Sequence, residues 1–270
     1  MDSKKKQVGF LSGIFLALAT PDTAFKRDEL YVSSRFLLFL LIFVLVFTGA
    51  VLTRNYFDNE TVRLLTMEEA TRRAERMMAG APREQRDAAI QRARESQGSG
   101  GMMIVGIVLG SAIWPVFVVE VWFLGIILMQ FFGGEEKPVG EKKHRRSLYL
   151  SLYALTPLAL QALVKGVVFF FKDPAEIGSV LTLAEYMEAS EVSFSLAAVL
   201  EIDGLSGFLK YLVHSITNPF CLWSLVIAIF GGRSVFSVRF SKITIAVIVI
   251  FILVGLQGQL FETVTGVFGG

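Results

Sequence analysis

Two ionisable side chains stand inside otherwise apolar sequence, Glu120 in the stretch 102–132 and Lys165 in the stretch 148–171. Residues of this type in such surroundings handle protons or ions, because a carboxylate near the middle of a membrane helix costs roughly 2.5–3.5 kcal/mol and needs a partner, a proton or water. Counted from the loop between the two stretches, Glu120 lies 12 residues deep and Lys165 about 17. At helical rise the offset is about 7 Å, which a lysine side chain mostly covers. Two arrangements answer the cost. Either the two side chains pair, or Lys165 snorkels to the nearer surface, six residues away, and Glu120 carries a proton.

A second polar cluster is His214, Thr217 and Asn218, the last followed by Pro219. Proline lacks the amide donor and clashes with the preceding turn, so carbonyls near Ser215 lose their helical partners. The cluster either binds a headgroup or small ligand, or it repairs the broken backbone with short polar side chains. Gln161, Gln257 and Gln259 read as interhelical hydrogen-bonding groups.

Catalytic machinery is hard to assemble from the remaining residues. The two histidines, His144 and His214, are far apart in sequence, and no metal, nucleophile-elbow, phosphate-loop or dinucleotide motif is present. One cysteine, Cys221, permits no internal disulfide and no cysteine-based zinc site. The pairs Gly133-Gly134 and Gly231-Gly232 read as helix C-caps. No catalytic residue, metal or cofactor is expected, and the small net charge of +2 gives no reason to expect nucleic acid as a partner.

The elements that must position these groups are five apolar stretches, 36–53, 102–132, 148–171, 208–230 and 243–261, each close to the ~17–25 residues that cross a bilayer as a helix. With 53 % hydrophobic residues, 24 Phe and 24 Gly, the chain reads as an all-α integral membrane protein. The expected fold is a five-helix transmembrane bundle. Runs 36–53 and 243–261 read as plain lipophilic anchors, whereas the other three carry the polar residues.

Orientation follows from charge. Lys142, Lys143, Arg145 and Arg146 abut the third run, inside a basic loop at 133–147 expected on the cytoplasmic side and in contact with lipid or a partner. All nine basic residues of the long segment 54–101 are arginines interleaved with eight acids, where the positive-inside rule loses force. These features place the amino terminus in the cytoplasm and the carboxyl-terminal tail, 262–270, outside, with a second cytoplasmic loop at 231–242. Within the amino-terminal segment 1–35, Lys4, Lys5 and Lys6 precede an apolar run at 8–19 that imitates a secretory signal. At 12 residues it is too short to span, and an interfacial helix is expected instead.

Segment 54–101 reads as an extracytoplasmic charged helical hairpin between helices 1 and 2. Thr66 with Glu69 suggests a capping box, Ala70, Ala74 and Met77 follow at helical spacing, and Gly80-Ala81-Pro82 starts a second arm. The hairpin is either a docking surface or a solvated pair held by i, i+4 charges. A flexible joint, 98–101, leads into the second run. The other outer segment, 172–207, holds seven acids; its apolar part, 194–200, suggests a surface helix.

Several short motifs resemble the Yip domain family, named for Ypt/Rab-interacting membrane proteins. They are Pro21-Asp22-Thr23-Ala24-Phe25 before the first run, Gly133 and Gly134 after the second, Tyr153 and Pro157 in the third, and Asn218, Trp223 and Gly231 in the fourth. The resemblance covers 8–53 and 102–261, omits the charged hairpin, and implies five spans with a cytoplasmic amino terminus. It also implies action through partners: eukaryotic relatives act in vesicle traffic, and some bacterial ones are similar to accessory subunits of ABC-type exporters. The short amino-terminal region and the inserted hairpin look more like a bacterial member, in the cytoplasmic (inner) membrane.

Two functions are therefore expected to compete. In the first, a non-enzymatic protein works beside an ABC-type transporter complex, or as a self-associating membrane scaffold, among membrane lipids. In the second, a small transporter or lipid-handling protein uses Glu120, Lys165 and the Asn218 break, and has a polar cavity between runs two, three and four.

Overall fold

In α3, Arg35–Phe57, Leu38, Ile42 and Val46 are buried at a spacing of four while Phe36, Leu40 and Val44 are exposed on the opposite side. A helix apolar all round is stable only with protein on one face and hydrocarbon on the other. The computed structural model describes residues 10–27, 35–97, 119–128, 141–177, 182–190, 192–195 and 207–269, and every regular element among them is helical. Three described helices are long and apolar enough to cross a membrane, over Phe36–Phe57, Lys143–Phe171 and Pro219–Phe236. The chain is an integral membrane protein whose described residues form helices and no strand.

The remaining elements are α1 (Phe10–Ala19), α2 (Pro21–Ala24), α4 (Glu60–Met77), α5 (Arg83–Gln97), α6 (Val119–Leu128), α7 (Glu141–Phe171), α8 (Leu183–Ser190), α9 (Gly207–Thr217), α10 (Pro219–Phe236) and α11 (Phe240–Gly269). They divide between two compact units. One draws on Met1–Leu45, Ala112–Gln161 and Phe194–Phe268, the other on Val46–Ser111 and Ala162–Ser193.

The first unit is built around α7, in which every residue from Ser147 to Pro157 is buried except Leu148. Pro157 lies within α7 without ending it. The basic segment expected as a loop differs from that expectation, because Lys142, Lys143, Arg145 and Arg146 form the opening turns of α7. Trp122 of α6 donates to Ser147 Oγ at 2.9 Å and lies edge-on to His144, joining α6 to the start of α7. α1 buries Gly13 and Ala17 and turns Leu11 and Phe15 outward, 76 % and 75 % exposed.

The second unit is organised by a contact of small residues. A Cβ placed on Gly49 of α3 would lie 2.3 Å from the Ala162 carbonyl oxygen, and one on Gly166 would lie 2.5 Å from the Gly49 oxygen. The α3 and α7 backbones therefore touch, as small residues four apart permit. Further along α3, Tyr56 and Phe57 meet Phe169 at ring distances of 4.8 and 5.3 Å. Position rises with position on both helices, so here they run in the same direction. Beyond them, Tyr56, Val62, Phe169 and Tyr186 form a small aromatic core.

The charged pair α4 and α5 packs through a tight turn at residues 78–82. Its cap is not where the sequence suggested. α4 begins at Glu60, capped by Asn59, whose Oδ1 accepts from the Val62 amide at 2.9 Å. Thr66 lies mid-helix and donates to the Val62 carbonyl, while Glu69 pairs with Arg73. A capping box does occur, at α8: the Thr182 amide donates to Glu185 Oε2 at 3.0 Å and the Glu185 amide to Thr182 Oγ1 at 3.2 Å. The joint at 98–101 and the apolar part at 196–200 lie outside the described residues; Phe194 and Ser195 are not helical.

Candidate functional site

Most of the motif residues gather in one packing cluster of the first unit. Pro21 opens α2 at its first turn, where a missing amide costs nothing. The chain then turns so that Phe25 is fully buried, edge-on to Tyr153 of α7 at 5.7 Å. Gly231 of α10 faces the same ring. A Cβ there would lie 2.7 Å from Phe25 Cδ2 and 2.5 Å from Leu150 Cδ1. Trp223 donates its indole N–H to the Leu18 carbonyl at 2.9 Å, satisfying an acceptor that the end of α1 leaves open. Ser234 reaches the Asp22 carbonyl and carboxylate, both at 3.1 Å. The Asp22–Lys26 hydrogen bond, at 2.7 Å, holds the Asp22 carboxyl below its usual range, with the Ser234 bond and the Lys26 and Arg233 charges adding to it against a smaller desolvation effect. The cluster locks α1 and α2 onto α7 and α10.

The glycine pair therefore has a different role from the one its sequence suggested. Gly231 and Gly232 lie inside α10, buried, where a side chain would strike Leu150, Phe25 or Ile243. The helix ends later, at Ser237, whose positive φ of 56° makes the left-handed cap. Gly133 and Gly134 lie outside the described residues.

The fourth apolar stretch is two helices. Asn218 is extended, and its Oδ1 accepts from the amides of Phe220 and Cys221 at 2.9 and 3.4 Å, capping α10. Its own amide donates to the Ser215 carbonyl at 3.3 Å, so that acceptor is not orphaned as expected. Thr217 donates to the Val213 carbonyl at 2.7 Å and bonds to Ser195. His214 is half-buried in the last turn of α9. The observed bonds of Asn218 cap α10 and fill the Ser215 carbonyl at the break. Asn218→Ala should therefore destabilise the protein by about 1–2 kcal/mol, and Asn218→Asp by much less, read from melting of the full-length protein in detergent. Equal melting of Asn218→Ala and the parent would refute the capping role.

Glu120 and Lys165 fall in different compact units. Glu120 is half-buried on α6, two residues before Trp122. A small apolar cavity of about 50 Å³ lies between α6, α7, α10 and α11, lined by Trp122, Gly125, Ser151, Ala154 and Ala246 among others; Glu120 does not line it. Lys165 lines a much larger groove of the second unit, about 580 Å³, together with Thr53, Arg54 and Thr66. Sequence reading passed over Arg54, one arginine among nine in a segment assigned to solvent.

Among the described residues, no three His, Cys, Asp or Glu side chains are grouped to hold a metal. A comparison with protein families matches residues 13–261 to the Yip1 domain. The chain belongs to the Yip1-domain family. No curated protein and no solved structure matches it. The Yip1 match spans the whole course from α1 into α11, including the charged pair α4 and α5 that the motif resemblance left out. Within this Yip1-domain protein, the proline-to-phenylalanine entry, Tyr153, Trp223 and Gly231 are one structural device that fastens the amino-terminal helices to the bundle.

Proposed function

We propose that this Yip1-domain protein acts through protein partners and not through chemistry of its own, as an accessory subunit of an ABC-type exporter complex or as a membrane scaffold, in a bacterial cytoplasmic membrane with its amino terminus inside. The observation that carries the reading is the surface of α4. Four of its charges pair within the helix, Arg72 with Glu68 and Arg73 with Glu69 at 2.6 Å, while Leu64 and Met67, one turn apart, are 59 % and 37 % exposed. Exposed apolar side chains beside paired charges have the composition of a protein-binding patch. The shared direction of α3 and α7 supports a topology in which the chain recrosses between them, as five alternating spans require.

The test is purification in mild detergent with mass spectrometry of what accompanies the protein, comparing the parent with Leu64→Glu/Met67→Glu. The parent should carry subunits of a membrane transporter, and the double variant should lose at least ten-fold of them with unchanged melting. Retention in the variant would overturn the role of α4. A tightly held lipid with no protein partner would favour a lipid-handling function.

A further inference from the structure

The groove beside the α3–α7 contact holds two cations with no carboxylate beside them among the described residues that line it. Arg54 and Lys165 both line it, together with Val46, Ala50 and Phe57, and no carboxylate is among its described lining residues. Asp58, the acid nearest Arg54 in sequence, is engaged by Arg63 at 2.7 Å. Arg54 Nε is buried and has no hydrogen-bond partner among the described residues. Lys165 has a ring contact, its Nζ 5.9 Å from the centroid of Phe169 on its own helix. A guanidinium and an ammonium lining one groove, with no carboxylate among its described lining residues, favour an anionic oxygen as the group that enters it.

Depth and size narrow the ligand. Arg54 lies three residues before the end of α3 and Lys165 six before the end of α7, so they sit about 5 and 9 Å below those ends. That is the zone where headgroups give way to acyl chains. The groove, about 580 Å³, is far larger than a bare phosphate needs, and most of its wall is apolar.

We infer that this groove binds an anionic amphiphile, with an acidic headgroup on Arg54 and Lys165 and an acyl chain along the apolar wall. The inference stands apart from the partner reading, since α4 residues Leu64 and Met67 do not line the groove.

The experiment titrates the full-length protein in detergent with phosphatidylglycerol or phosphatidylcholine and counts bound lipid by native mass spectrometry, with inorganic phosphate as competitor. Phosphatidylglycerol should bind at least ten-fold more tightly than phosphatidylcholine and resist displacement by phosphate. Arg54→Gln/Lys165→Gln should erase the preference, and Arg54→Lys should keep most of it. Ala50→Phe, which fills the groove and leaves both cations in place, should weaken phosphatidylglycerol about ten-fold, and it decides the matter if the double variant does not fold. Equal binding of the two lipids, a preference surviving both Arg54→Gln/Lys165→Gln and Ala50→Phe, or inorganic phosphate binding as tightly as phosphatidylglycerol would each overturn the inference.

Discussion

Gly49→Val should be among the most damaging single substitutions in this protein, lowering its stability by about 3 kcal/mol or more and its melting temperature by roughly 6–12 °C. The reason is what the new atoms would meet. A Cβ on Gly49 would lie 2.3 Å from the carbonyl oxygen and 2.6 Å from the carbonyl carbon of Ala162. Overpacking usually costs about 1–3 kcal/mol because side chains move aside, but a helix backbone cannot rotate away, so the upper end applies. Separating α3 from α7 would also disturb the aromatic contacts of Tyr56 and Phe57 with Phe169. Gly125→Ala is the control, since a Cβ there meets nothing within 4 Å; removing a helical glycine should leave melting unchanged or raise it slightly. Melting of Gly49→Val within a degree or two of the parent would mean that the helices do not touch.

Phe25→Ala should cost about 3–5 kcal/mol, the range for a buried aromatic replaced by alanine. Phe25 has no exposed surface, packs on Tyr153 and lies against Gly231, so its loss opens a cavity where α2, α7 and α10 meet. A double-mutant cycle makes the test specific. Gly231→Ala alone should destabilise by about 1 kcal/mol, because its methyl must displace Leu150 Cδ1 and the Phe25 ring. In the Phe25→Ala background part of that obstacle is gone, so Gly231→Ala should cost at least about 0.5 kcal/mol less. Strict additivity in detergent melting would show that residues 25 and 231 do not share this cluster.

Legibility followed the range of the interaction behind each signal. Three of the five apolar runs correspond to described helices long enough to cross a membrane, because hydrocarbon acts on every residue of a run alike. Caps were harder. Thr66 with Glu69 and Thr182 with Glu185 have the same spacing, yet only the second pair begins a helix. The onset of α4 had a local signal too, Asn59 before Glu60, but it lay in a connection read as starting at residue 54, whereas α3 continues to Phe57. The break at Asn218 was legible because proline removes a donor wherever it stands. Its repair was only partly legible, since the sequence left the Ser215 carbonyl free and the folded chain supplies the Asn218 amide.

The sequence alone determined that the chain is helical and membrane-embedded, where the fourth stretch breaks, and which residues link it to the Yip1-domain family. These depend on composition or on neighbours along the chain. Only the tertiary structure decided what the glycines do, because Gly49, Gly166 and Gly231 matter for atoms far away in sequence: Ala162, Gly49 itself and Phe25. The same holds for Arg54, a solvated charge by sequence. It becomes a groove-lining cation with a buried Nε, unbonded among the described residues, only where α3 meets α7.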